Sequence, residues 1–188
     1  LSAFRHRAAR LLDEFDQKIQ SDFLNGKTTQ QAWNDALIQM SRASRGYALL
    51  LLLNNFVEGI KEEKEVGIIG PQEVEVLGDL ARLFGSYWME KDIGDFLEDG
   101  YLSAKKASWV RSNVLKLLGI VRPNAVALVD ARDFSDFRLK SALGRFDGDV
   151  YPALMKAAMR DPLNQIEPGP GYEPHLRKLI KDGAGKFT

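Results

Sequence analysis

From Ser2 to Leu24 the apolar residues Phe4, Ala8, Leu11, Leu12, Phe15, Ile19 and Phe23 recur at intervals of three and four, the spacing of one buried helical stripe. Arg5, Arg7, Asp13, Glu14, Gln17 and Lys18 fall mostly on the other face, and Asn25-Gly26 supplies a stop. Thr28-Thr29-Gln30-Gln31 has the form of a capping box, so a second helix is expected to start at Thr28. Trp33, Leu37, Met40, Ser44 and Tyr47 line one of its faces. The run Ala48 to Leu53 is then apolar all round, which predicts a central helix surrounded by others, before Lys61-Glu62-Glu63-Lys64-Glu65 returns to solvent. Pro71 suits a first helical position, and Val74, Leu77, Leu80, Ala81, Phe84, Tyr87 and Trp88 carry a third helix to about Glu90. Asp92 to Gly100 is irregular or a short turn of helix. A fourth helix starts near Ser103 and buries Val110, Val114, Leu117, Leu118 and Val121 until Arg122-Pro123 interrupts it.

Shorter pieces follow: Asn124 to Ala131, Asp136 to Leu143, a turn over Gly144 to Asp149, and a last core helix from Val150 to Met159 that ends at Pro162. Beyond Gln165, prolines and glycines predict an extended arm with one terminal helix, Glu173 to Lys181. No strand pattern stands out. The fold class expected is all-α, a bundle of four long helices plus short ones, with 1–164 as the helical domain and 165–188 as its arm.

Composition narrows the chemistry. Among 188 residues, 26 Lys and Arg balance 26 Asp and Glu, and a zero net charge argues against nucleic acid as a partner. Cysteine is absent and the two histidines, His6 and His175, lie far apart, so no metal site is expected. The longest apolar run, Tyr47 to Leu53, is far short of the ~20 residues that cross a bilayer, and no membrane span is expected. The chain starts at Leu1 with helical periodicity already in place, as expected of a domain cut from a longer polypeptide.

Nucleotide loops and nucleophile elbows are missing from the sequence. Asp92, Asp95, Glu98 and Asp99 cluster at helical spacing, which favours capping and solvation over calcium. Asp130, Asp133 and Asp136 recur every third residue and read as caps around Ser135, with Arg132 and Arg138 as partners. Arg42, Arg45 and Tyr47 sit beside the leucine run, either as a lip over a ligand or as residues of a helix leaving the core. Trp33, Trp88 and Trp109 lie on apolar faces and are expected in the core.

Three ordered pieces carry a resemblance: Gly94-Asp95-Phe96-Leu97, the run Arg122 to Ala131 (RPNAVALVDA), and the run Leu143 to Tyr151 (LGRFDGDVY), continued by Pro162-Leu163-Asn164. Upstream, Arg7-Ala8-Ala9-Arg10-Leu11, Ala32-Trp33 and Arg42-Ala43-Ser44 fall in step. With this order and spacing the chain resembles the C-terminal domain of acyl-CoA oxidases over nearly its whole length. The resemblance implies a dimeric FAD enzyme of peroxisomal fatty-acid β-oxidation, which turns acyl-CoA and O2 into trans-2-enoyl-CoA and hydrogen peroxide. In that family a glutamate takes the α-proton and the β-hydrogen passes to FAD as hydride. It further implies that the catalytic base lies before Leu1, that no carboxylate here is catalytic, and that the domain supports the dimer and walls the flavin cleft. Contact with cofactor or ligand would be sought first at Arg42, Ser44, Arg45 and Tyr47.

The chain departs from the family at Arg45-Gly46-Tyr47, where His or aromatic residues are common, and at Arg132, where Phe is common. It also lacks a Ser-Lys-Leu ending. The alternatives are a free-standing helical interaction module without activity, and a dehydrogenase that passes electrons to another flavoprotein.

Overall fold

A computed structural model describes residues 1–165, 169 and 171–184, the last three as backbone only. By their contacts the residues form two compact units, Leu1–Ala125 and Val126–Thr188, a division that falls within the span 1–164. The described residues contain helices and turns and no strand, so the all-α class holds.

The first unit contains α1 (Ser2–Leu24), α2 (Thr29–Asp35), α3 (Leu37–Val66), α4 (Pro71–Lys91), α5 (Ile93–Leu97) and α6 (Ala104–Val121). The four long helices of the sequence reading are α1, α3, α4 and α6. Helix α1 packs on α3, α3 on α4, and α4 on α6. Phe4, Leu49, Leu53 and Ala81 form the core where α1, α3 and α4 meet, flanked by Val57, Phe84 and Trp88. Terminal signals act where they were read. Thr28 and Gln31 close a reciprocal capping box, Ser103 Oγ accepts from Lys106 N, and Pro71 opens α4. Gly26 and Gly67 take φ of +74° and +80° past the ends of α1 and α3, a conformation that costs a side chain dearly.

Several expectations need correction. The second helix is two helices, broken at Ala36, whose φ of −97° and ψ of 7° leave the helical region. Ala32 and Ala36 are sealed against Ile19 and Phe15 of α1, and their small side chains let α2 lie close. No Pro or Gly marks this break, so the periodicity runs through it. The buried stripe of α3 is Ala43, Gly46, Leu49 and Leu53, and not the Leu37–Tyr47 face. Leu51, Leu52 and Tyr47 are exposed, so the leucine run is covered on one side only. Trp33 and Trp109 are exposed too, as are Leu12, Phe23 and Leu118.

The Arg122-Pro123 interruption is mild: a 3-10 turn, Arg122–Asn124, takes the place of the α-helical bonds that Pro123 cannot make. By length and composition alone, the helical stretch Ala104–Asp130 is apolar enough to cross a membrane. Ala107, Val114, Leu117 and Val121 of that stretch are buried within the bundle.

The second unit holds α7 (Ala125–Asp130), α8 (Asp136–Leu139), α9 (Val150–Arg160) and α10 (Arg177–Ala184), joined by short turns. A π-turn, Tyr172–Leu176, leads into α10, so the terminal helix of the sequence reading is present and longer. From Val126 on, none of the described side chains is buried. Helix α9 is therefore no core helix here: Tyr151, Met155 and Met159 stand exposed. The helix spans the expected residues, but its apolar face has no cover among the described residues.

Candidate functional site

Two features of the first unit gather the residues singled out by sequence. One is an ionic corner. Asp92 ends α4, Asp95 sits in α5, and Glu98 and Asp99 follow it. Arg7 of α1 reaches this corner, only 4% exposed, with Nε donating to Asp95 Oδ2 at 2.7 Å and Nη2 lying 2.9 Å from Asp92 Oδ2. Arg10 Nη2 donates to the Asp95 carbonyl at 2.7 Å, and Arg10 also pairs with Glu14. From α3, Arg42 Nη2 donates to Asp95 Oδ1 at 2.6 Å and Arg45 Nη2 to Asp92 Oδ1 at 3.0 Å. The Arg45 guanidinium also lies 5.1 Å above the Trp88 ring. His6 stacks on Tyr101 and contacts Asp99 at 2.5 Å, while Tyr101 N–H donates to the other Asp99 oxygen.

These carboxylates answer cations from two helices. That is neither a calcium loop nor simple capping, and no metal-binding cluster is found among the described residues. Burial pushes the Asp95 carboxyl up, but the hydrogen bonds from Arg7 and Arg42 outweigh it and hold the pKa below the ordinary 3.8. The Tyr101 N–H and His6 lower Asp99 in the same way.

A depressed carboxylate contributes stability above its ordinary pKa and loses it as pH falls through the folded value. Unfolding free energy should thus hold near neutrality and fall below about pH 4. Arg42→Gln should move that acid limb to higher pH, because Asp95 then protonates more readily. Urea midpoints taken across the acid range check this, and an unmoved limb in Arg42→Gln would refute it.

The other feature is a groove between α1 and α3, with a cavity volume of about 530 Å3. A Cβ on Gly46 would stand 3.1 Å from Leu11 Cδ1, so the two helices cross at close range. Beside the crossing, Ala8, Ala9, Leu12 and Phe15 of α1 face Met40, Ala43, Ser44, Tyr47 and Leu50 of α3, with Arg5 also on the lining.

The four residues picked from sequence therefore part company. Arg42 and Arg45 turn to the ionic corner, and Ser44 and Tyr47 line the groove. The periodicity puts Arg7 on the polar face of α1, and its burial at the ionic corner corrects that expectation; Arg10 carries no expectation beyond the resemblance. The signal was present for Arg7: it lies three residues after Phe4 and four before Leu11, inside the buried stripe.

In the second unit, the Leu143–Tyr151 motif is a turn. Arg145 Nε donates to Asp147 Oδ1 at 2.9 Å, the same oxygen accepts from Asp149 N at 3.0 Å, and Gly148 takes a φ of +71°. These bonds draw the Asp147 pKa down to about 2. Asp130, Asp133 and Asp136 form no ion pair with Arg132 or Arg138 among the described residues, and Ser135 precedes α8 without a side-chain cap bond.

The family model described as acyl-CoA oxidase matches residues 1–181. The chain is 35% identical over 177 residues to the peroxisomal acyl-coenzyme A oxidase 1 of Rattus norvegicus, covering 94% of this chain and 26% of that protein. It is 34% identical over 181 residues to the enzyme of the same name from Arabidopsis thaliana, covering 96% and 26%. Its fold matches acyl-CoA oxidase-1 of Caenorhabditis elegans, solved in complex with FAD and ATP, with a TM-score of 0.76 and 33% identity over 95% of this chain and 26% of that one. The chain thus spans about a quarter of the length of the relatives it matches.

Proposed function

This chain belongs to the acyl-CoA oxidase family, and from that premise we propose that it is the C-terminal helical portion of an FAD-dependent acyl-CoA oxidase. The parent enzyme would convert fatty acyl-CoA and O2 to trans-2-enoyl-CoA and hydrogen peroxide, the first step of peroxisomal β-oxidation. The observation that carries this reading is the match along nearly the whole chain, in sequence and in fold, to enzymes of that name. The peroxisomal assignment is supported by the peroxisomal oxidases of Rattus norvegicus and Arabidopsis thaliana that the chain resembles. The final residues, 185–188, lie outside those described.

In this reading the catalytic base and most of the FAD site belong to the remainder of the enzyme. The residues of this chain supply no phosphate loop, and the Arg42 and Arg45 guanidiniums are engaged by Asp95 and Asp92. Those two arginines tie α3 to the Asp92–Asp95 corner, and Ser44 and Tyr47 are the candidates left facing open space, Tyr47 at 60% exposure. The chain's own contribution is a wall: it excludes water from a neighbouring cleft and supports a homodimer. Exposed apolar side chains on α3, α6 and α9 fit a domain meant to be covered by other surfaces.

The test is peroxide release by the full-length parent when fatty acyl-CoA is added in air. Peroxide in step with enoyl-CoA is expected. Enoyl-CoA that appears only with an artificial electron acceptor would make the parent a dehydrogenase. No turnover and no bound flavin would leave a helical interaction module.

A further inference from the structure

The α1–α3 groove has the dimensions and lining of a helix seat. From Arg5 to Phe15, α1 rises about 15 Å, roughly three helical turns. Ala8 and Ala43 are buried, while Leu12 and Tyr47 are each 60% exposed, so small side chains lie low and large ones stand proud. Such relief lets a third helix approach to about 8–10 Å between axes, with its side chains between the ridges. The lining offers hydroxyls at Ser44 and Tyr47 and one cation, Arg5, which forms no ion pair among the described residues. That is too few donors to cradle a phosphate-bearing ligand. The relatives are about four times as long as this chain, so polypeptide to fill the groove exists in the parent enzyme.

We infer that this groove seats an apolar helix from the remainder of the parent polypeptide, one that presents bulky aliphatic or aromatic side chains to Ala8 and Ala43 and a carboxylate to Arg5. The inference rests on the reading that the chain is part of a longer oxidase. It adds which surface docks and what chemistry the docking element carries. The mode is helix-in-groove recognition, with apolar anchors for affinity and one charge for register.

These 188 residues contain no cysteine, so within them a labelled peptide reports the introduced thiol alone. In the full-length enzyme, Ala9→Cys and Ser44→Cys should react with a maleimide about tenfold or more slowly than Lys61→Cys on the exposed end of α3, each followed by peptide mass spectrometry. A photoreactive residue at Leu12 should cross-link to a helix of the same polypeptide outside these 188 residues. Arg5→Glu should restore part of the Ala9→Cys reactivity, and reversing the carboxylate found at the cross-link should suppress it again.

Labelling of both thiols at the Lys61→Cys rate would overturn the inference. So would cross-linking only between copies in an isotopically mixed dimer, or shielding that appears only when acyl-CoA is added. Peroxide release is measured on the same preparations. A shielded groove in an enzyme without oxidase activity would sink the functional reading and leave the docking intact, and an active oxidase with an open groove would do the reverse.

Discussion

Replacing Arg7 by methionine is expected to lower the unfolding free energy by about 3 kcal/mol, the low end of the 3–5 kcal/mol that follows loss of one partner from a buried ion pair. Arg7 is almost wholly buried and touches both Asp92 and Asp95. Methionine fills much of its volume, so the loss reports two carboxylates stripped of a cation in a site with little water. The figure stays at the low end because Asp95 keeps Arg42 and Asp92 keeps Arg45.

Two controls separate charge from packing. Arg45→Ala removes a half-exposed partner of the same corner and should cost about 0–1 kcal/mol. Adding Asp92→Asn and Asp95→Asn to Arg7→Met should recover more than half of the loss, since the stranded charges are then gone. Urea unfolding of the four proteins decides the matter. An Arg7→Met variant within about 1 kcal/mol of the parent sequence would mean that the corner contributes little to stability.

The second large effect is expected from Phe96→Ala, at about 3–5 kcal/mol. Phe96 is the one buried residue of α5, 1% exposed, and Leu102 N–H donates to its carbonyl at 2.8 Å. Helix α5 is only five residues long, too short to persist without tertiary contacts. Removing the ring should therefore loosen the 92–102 segment as well as the whole unit. Limited proteolysis should cut within that segment in the variant at protease levels that leave the parent sequence intact. A large loss of stability without new cleavage there would show that Phe96 serves the core alone and does not anchor α5.

Helix positions were legible because their signals are local. The Thr28–Gln31 box, Pro71, Ser103 and Gly26 each act within one turn, and each stands where the pattern placed it. Which face of a helix is buried was less legible. Periodicity scored Tyr47 and Leu37 as core on apolar character, yet α3 turns Ala43 and Gly46 inward because α1 crosses there at short range. Smallness selects that face at the crossing, and leucine continues it at Leu49 and Leu53. The break at Ala36 was hidden for a related reason: it is made by close packing of Ala32 and Ala36, with no helix-breaking residue.

The candidate site divides along the same line. The segment Arg42–Tyr47 stands out in the sequence as one group, but one turn of helix spreads its side chains around the axis. Only a partner's position tells which of them meet carboxylates and which meet open space. The acidic run Asp92–Asp99 looked like a solvated cap because its cations lie far away in the chain, on α1 and α3. For the second unit, motif strings carried more information than periodicity. The LGRFDGDVY turn is held by Arg145 and Asp147, while the apolar face of α9 has no cover among the described residues.

The distance in sequence across the ionic corner has a kinetic side. Arg7 and Asp95 are 88 residues apart, and the His6–Asp99 contact spans 93. Closing loops of that length costs entropy before any ion pair forms, so such contacts come together late in folding. The α1–α3 pair, joined through α2, can form earlier. Damage to the corner should then leave the refolding rate nearly unchanged and appear almost wholly as faster unfolding. The arginines that grip α5 act as a brake on opening, and they set how long the folded unit lasts more than how quickly it is reached.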